Sequence, residues 1–439
     1  MSVNTDQPAD CLWQEISQGI FRRSMIPFEC FFNPEMGWSV WASIKLGSIP
    51  NAPNNKEELM DRVRRAWIRV LYEQPQLASI FDFQGRTCTY TTTTEQSLAI
   101  WLDETFIVAD DPYNSVATRG KPILCLDPST RELLFRAPHC YIDGIGTILL
   151  LADIVSHLNN PQPTTFGDEA KNFSPIFDIA ANVPAPQAPN HECSTQLTSK
   201  FLESQPSIGL PFYEGPSTGH SVSEISLSLE DSNALVSTCK TRGLTVTHAV
   251  HAALVQTTVE LNPKEEAKFY TSMPIYNWRG RVRAEYQRCR AALYCGAFPM
   301  AIRDPGVRDF DDIAEEMKRM YVDTNQDEEI AKAHSLWWSE LLTALRIASD
   351  QPPATTPLLS SLGVIERVLP EVVGGVKIKD FKFGIDIKGP IVTAYLWNWG
   401  GRVSLCAAWD RGSFEEGDID EFLKRLVQKL AAPLGLSLN

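Results

Sequence analysis

Histidine and positive charge are scarce in this chain, and paired cysteines of the metal-binding kind are missing. There are seven histidines in 439 residues, so one in a patterned context stands out. The ten cysteines are scattered, with no CxxC or similar pair. That spacing excludes common zinc modules and reads as reduced thiols in a cytoplasmic protein. With 40 basic against 54 acidic residues the net charge is -14, which argues against nucleic acid or an anionic membrane as partner. The longest aliphatic run, from Ile148 to Ala152, is far too short to span a bilayer. Met1 to Asp10 is polar and carries no apolar core, so no signal peptide is read there. The Walker glycine loop and the dinucleotide fingerprint are also missing. What remains is a soluble, cytoplasmic protein with small-molecule partners, expected to be monomeric.

What is present is ordinary globular material, 44% hydrophobic and 21% charged, and long enough to divide its core between domains. Alternation from Trp38 to Ile44 predicts a strand. Asn55 stands where it can cap a helix whose apolar stripe is Leu59, Val63, Trp67, Val70 and Leu71. Thr87 to Thr94 favours β structure. A strand from Glu132 to Ala137 then leads to His139, and a helix from about Gly144 to Leu158 follows. Periodicity dissolves between Asn159 and Gly219, where the proline-rich run Val183 to Pro189 predicts a crossover linker. Beyond it come a strand at Glu224 to Leu229 and helices at Asp231 to Lys240 and Thr245 to Leu261, with Gly243 a C-cap between them. Helices near Ile313 to Tyr321 and Ile419 to Leu430 follow. Val392 to Trp399 and Arg402 to Trp409, joined by Gly400-Gly401, read as a two-residue hairpin. The class is α/β, divided as residues 1–175, a linker at 176–219, and 220–439.

The chemistry centres on His139-Cys140-Tyr141-Ile142-Asp143-Gly144. Imidazole can take and return a proton near neutral pH, and a strand end is where such a side chain reaches a cleft. Two readings stay open and need not exclude each other: Asp143 caps the following helix, and it orients the loop of His139, while Gly144 allows a turn or a close approach. Arg279, Arg281, Arg283, Arg288 and Arg290 form the densest basic stretch, either a solvated edge or a phosphate contact. Tyr395, Trp397 and Trp399 share one face of the hairpin, as core or as a substrate wall. His248 and His251 have helical spacing but no third metal ligand nearby, so packing is expected, and Asp231 and Asp418 read as helix caps.

The HxxxDG stretch resembles the signature of the chloramphenicol-acetyltransferase-like superfamily, which includes plant BAHD acyltransferases, condensation domains of peptide synthetases and fungal O-acetyltransferases of trichothecene type. Ile26 to Phe32 looks like the N-terminal strand of the fungal group, and Ser360 to Glu366 like its C-terminal strand. Asp380-Phe381-Lys382-Phe383-Gly384 stands where plant enzymes carry DFGWG. Pro138 in place of a second histidine disfavours the condensation branch, and Lys382 and Phe383 disfavour the plant branch.

The resemblance implies two α/β subdomains, mixed sheets flanked by helices, with an active-site channel between them. It implies an acyl-CoA-dependent O-acyltransferase, an acetyltransferase by analogy, acting on a hydroxyl of a secondary metabolite. His139 would be the general base, with direct attack on the thioester and no permanently bound cofactor or metal. Asp143, Gly144 and Arg279 would support the site, and Arg281 and Arg283 would meet the phosphates of CoA. Tyr395, Trp397 and Ser360 would touch substrate. The alternatives are a cyclase, pericyclase or carrier-protein-dependent condensing enzyme on the same fold, or a binding protein that retains it.

Overall fold

The computed structural model describes residues 11–33, 37–50, 55–115, 120–262, 266–347 and 353–438. The polar stretch Met1 to Asp10 lies outside them. The chain forms two compact units. The first gathers three pieces, Met1–Ala185, Asn277–Cys295 and Glu366–Ile385, and the second holds the rest. The first break falls inside the proline-rich run, but the two short returns lie within the stretch expected to belong wholly to the second domain.

In the first unit a six-stranded sheet runs in the order Val372–Val373, Val376–Asp386, Ser39–Leu46, Glu132–Pro138, Ile123–Asp127, Phe106–Val108. Ser39–Leu46 and Glu132–Pro138 pair antiparallel, and the outer pair 106–108 and 123–127 is parallel, so the sheet is mixed. The strand with Asp380 to Gly384 belongs here because it pairs beside Ser39–Leu46. A Cβ on Gly384 would lie 2.4 Å from Trp41 Cζ2, so the glycine makes room for an indole. Helices Lys56–Glu73 and Gly144–Leu158 pack together beside this sheet. Asn55 caps the first, accepting from Glu58 N at 2.8 Å, as its position predicts. A second, four-stranded sheet runs 14–17, 20–24, 87–91, 80–82.

Ile26 to Phe32 is not the strand that its resemblance implied. Pro27 opens a short helix, Pro27–Phe31, and the Glu29 side chain accepts from Ile26 N at 3.0 Å, closing the first turn. The expected linker is likewise richer than its sequence suggests. Pro189 sits in the first turn of the helix Ala188–Glu203, where it costs nothing. Asn190 of that helix donates to Glu329 at 2.8 Å, on the helix Glu328–Ile347.

The second unit is built on a four-stranded sheet in the order Leu358–Val364, Thr393–Trp399, Arg402–Asp410, His220–Ser226. Gly400 and Gly401, at φ 58° and 75°, form the two-residue turn that the sequence predicts. Leu235, Leu254, Met317, Leu396, Leu405, Phe422 and Leu426 belong to one core between that sheet and its helices. The helices run Leu229–Thr241, Val246–Leu261, Phe310–Gln326 and Glu416–Leu434. Ser228 caps the first, and Asp231 stands one turn in, accepting from the Ser228 hydroxyl at 2.8 Å. Asp418 likewise lies inside its helix and is not the cap. Among the described residues no helix is long and apolar enough to cross a membrane.

Candidate active site

Strand Glu132–Pro138 ends one residue before His139, and the helix that follows starts at Gly144. Between them five residues must turn the chain while leaving a side chain in place. His139 N donates to Trp38 O at 3.0 Å, which extends the strand pairing by one residue. The Tyr141 hydroxyl donates to Ser79 O at 2.6 Å, pinning the far side of the turn.

Asp143 holds the other end. It is the N-cap of Gly144–Leu158, accepting from Gly146 N at 2.7 Å. The same carboxylate accepts from Arg279 Nη1 at 2.7 and 2.9 Å and from Tyr294 N at 2.8 Å. The two readings of Asp143 are therefore one arrangement, a cap and an ion pair on one buried carboxylate. Arg279 is itself mostly buried and lies over the Tyr294 ring at 5.6 Å. A buried carboxylate is tolerated only when its lone pairs are used, and here both oxygens are.

Gly144 begins the helix with an ordinary backbone, and the close approach falls to Gly146. A Cβ there would lie 2.4 Å from Arg290 O, 2.8 Å from Arg279 Nη2 and 2.9 Å from Ile142 Cγ1. The spacing Gly144-Ile145-Gly146 held that signal. Tyr294 N, a backbone donor brought from far along the chain, carries none.

His139 is 7% exposed, and its Nδ1 is buried without a hydrogen-bond partner of good geometry. Burial pulls the imidazole from its ordinary 6.5 down to about 4. The backbone carbonyls of His139 and Ile142 and the charge of Asp143 pull upward and recover only part of this. The ring is thus neutral at pH 7, the form that can accept a proton. One of its faces is covered by Phe32, stacked at 4.0 Å between centroids and 7° between planes.

The other basic side chains of this segment are engaged in the first unit's own structure. Arg288 donates to Asn172 at 2.8 Å and Arg290 to Asp153 at 2.7 Å. Arg281 lies over the Trp278 ring at 5.7 Å. Arg283 lies over Tyr286 at 5.0 Å and pairs with Glu285 at 3.3 Å. Arg279, Arg288 and Arg290 thus fasten residues 277–295 to the N-terminal part of the unit.

Ser360, Tyr395 and Trp397 belong to the second unit, where Ser360 and Tyr395 are register partners on adjacent strands. Tyr395 and Trp397 are almost wholly buried, on the strand face opposite Leu396. His248 and His251 serve packing. His248 Nδ1 accepts from Thr245 N at 3.2 Å, and His251 lies between the hydroxyls of Tyr321 and Tyr270 at 3.0 and 3.1 Å.

Comparison with known proteins places likenesses beside this geometry. Residues 123–286, which include His139, Asp143 and Arg279, match the family model described as 15-O-acetyltransferase Tri3. The chain is similar to several fungal O-acetyltransferases. The O-acetyltransferase pigM of Monascus ruber is 24% identical, over 95% of this chain and 87% of that protein. The acetyltransferase pigO of the same organism is 24% identical over 97% and 98%. The solved structure of trichothecene 15-O-acetyltransferase TRI3 from Fusarium sporotrichioides shares the fold, with a TM-score of 0.84 at 16% identity over 96% and 98%. The chain is thus an acyltransferase on a chloramphenicol-acetyltransferase-like fold.

Proposed function

We propose that this acyltransferase moves an acyl group, acetyl foremost, from acyl-CoA to a hydroxyl of a small secondary metabolite, with His139 as general base. The observation that carries the reading is a neutral, buried imidazole on a turn tied down by Asp143. A base that is deprotonated before substrate arrives needs no activation, and a fixed turn keeps it in reach of one proton.

In the reaction His139 takes the proton of the acceptor hydroxyl as its oxygen attacks the thioester carbonyl. The C–O bond forms, and the tetrahedral adduct collapses with cleavage of C–S. The thiolate leaves, and the imidazolium returns the proton to it, so the enzyme ends as it began. Asp143 touches no reacting atom in this scheme; its charge favours the transient imidazolium while its bonds hold the turn.

Acceptor identity is open to a direct screen. The pure protein incubated with acetyl-CoA and a panel of hydroxylated polyketides and terpenoids should release free thiol with matching acetylated product. Thiol release that never depends on an acceptor, or no release with any acyl-CoA while a carrier-bound acyl group is consumed, would overturn the reading.

A further inference from the structure

The residue that covers His139 comes from the segment for which the resemblance implied a strand. Phe32 ends the short helix Pro27–Phe31 and is 5% exposed. Phe28, Phe31 and Trp38 surround it at 5.1, 5.2 and 5.8 Å, all with rings tilted by 60° or more. Only the histidine meets it face to face among these ring neighbours.

The helix is held from beneath by a buried fork. Arg23 donates from Nη1 and Nη2 to the two oxygens of Glu29 at 2.8 and 2.6 Å. Both side chains are under a tenth exposed, so the fork is rigid and dry. An ion pair buried this deeply is an expensive way to anchor a five-residue helix, unless what the helix carries must not move.

We propose that Phe32 is a positioning residue for His139, which holds the ring by stacking, keeps water from one face and offers its π surface to the imidazolium formed during transfer. The proposal rests on His139 being the base. The two electrostatic consequences oppose each other. Exclusion of water penalises the charged ring, whereas the aromatic face favours it. Burial dominates in the resting enzyme, where the imidazole sits near 4. The charged neighbour acting on it is Asp143. On the helix that carries Phe32, Glu29 is the one charged side chain, Arg23 neutralises it, and Cys30 is the other titratable group. Arg136, on the preceding strand, turns to the Tyr113 carbonyl at 3.4 Å, and the neighbouring thiol of Cys140 and phenol of Tyr141 are held neutral by burial.

The opposition supplies a test. Phe32→Leu keeps the site dry and removes the π face, so the His139 pKa should stay low or fall. Its kcat should drop about two- to thirtyfold, the span from an exposed to a desolvated cation–π contact. Phe32→Ala admits water, and the pKa should rise toward 6.5. Replacing Phe32 by pentafluorophenylalanine, which keeps the shape and reverses the polarity of the face, should reproduce the loss in the leucine variant without a packing defect. The pKa is read from histidine ring carbon NMR, assigned with His139→Asn, and from the acid limb of kcat/KM. Equal pKa values in all Phe32 variants, or full kcat with the fluorinated ring, would overturn the proposal while His139 stayed essential. An active His139→Asn enzyme would instead sink the base assignment itself.

Discussion

Arg279 sets one guanidinium nitrogen 2.7 and 2.9 Å from the two oxygens of Asp143, across 136 residues of sequence. The contact joins the turn of the candidate base to a segment that returns from beyond residue 276. Because the same carboxylate caps a helix, loss of its charge and loss of its shape can be separated.

Asp143→Asn preserves the cap, since Asn and Asp are comparable there, but leaves the arginine uncompensated. Breaking a buried pair from one side costs about 3–5 kcal/mol, and transfer activity should fall with it. Arg279→Met should do much the same. In the double variant each change removes the charge the other strands, so its loss should be smaller than the sum of the singles. Urea unfolding and kcat/KM check this, and strict additivity would dissolve the pair as a functional unit.

His139→Ala should leave the fold intact and reduce transfer about a hundred- to ten-thousandfold, the contribution of a positioned base. Thiol release from acetyl-CoA, with acceptor saturating, measures it. Near wild-type turnover would remove His139 from the mechanism.

Acid should destabilise the protein through its buried imidazoles. Burial holds His139 near 4 and both His251 and His334 near 3, against 6.5 when unfolded. Below pH 6.5 the unfolded chain binds protons that the folded one refuses. Stability is therefore present above 6.5 and is lost as pH falls toward the folded values, at about 1.4 kcal/mol per pH unit for each histidine. Unfolding free energies between pH 7 and 4.5 should show that slope, shallower in His139→Gln. A flat profile would mean these rings are wet or protonated in the native state.

Gly146→Ala should cost about 1–3 kcal/mol, because the added methyl meets a backbone carbonyl and the Asp143–Arg279 pair. It should lower activity as well. Gly417, also in a helix, has nothing within 4 Å of an added Cβ, so Gly417→Ala should be neutral or slightly stabilising. Equal melting temperatures for the two variants would refute the steric account.

Much of this was legible because it is local. The cap at Asn55, the helix Gly144–Leu158 and the Gly400-Gly401 hairpin follow from short-range pattern, and the structure has each of them. Misreadings arose where local pattern was ambiguous. The strand at Ile26 to Phe32 rests on resemblance alone, and the segment is a helix that Pro27 opens and Glu29, held by Arg23, closes. The helix Ala188–Glu203 is masked in the sequence by Pro189 and the prolines before it, and Glu328–Ile347 packs beside it. Near His139, the pairing of Asp143 with Arg279 was legible from motif and resemblance. Phe32 and Tyr294 N were not, because stacking and a distant backbone donor leave no spacing to find.

The three-piece make-up of the first unit also bears on how the protein emerges from the ribosome. When residue 185 is made, Asp143 has neither Arg279 nor Tyr294 to meet, and the strand bearing Gly384 does not yet exist. Another 200 residues, 185 to 385, must be translated first, about 10–40 s at ordinary elongation rates. Through the first half of that interval the nascent chain carries an unpaired acid, and to its end an incomplete sheet edge, a state that invites chaperones. Yield in a foreign host should therefore respond to chaperone supply and slower growth more than to surface redesign, and a gene cut at the proline-rich run should give an insoluble N-terminal fragment.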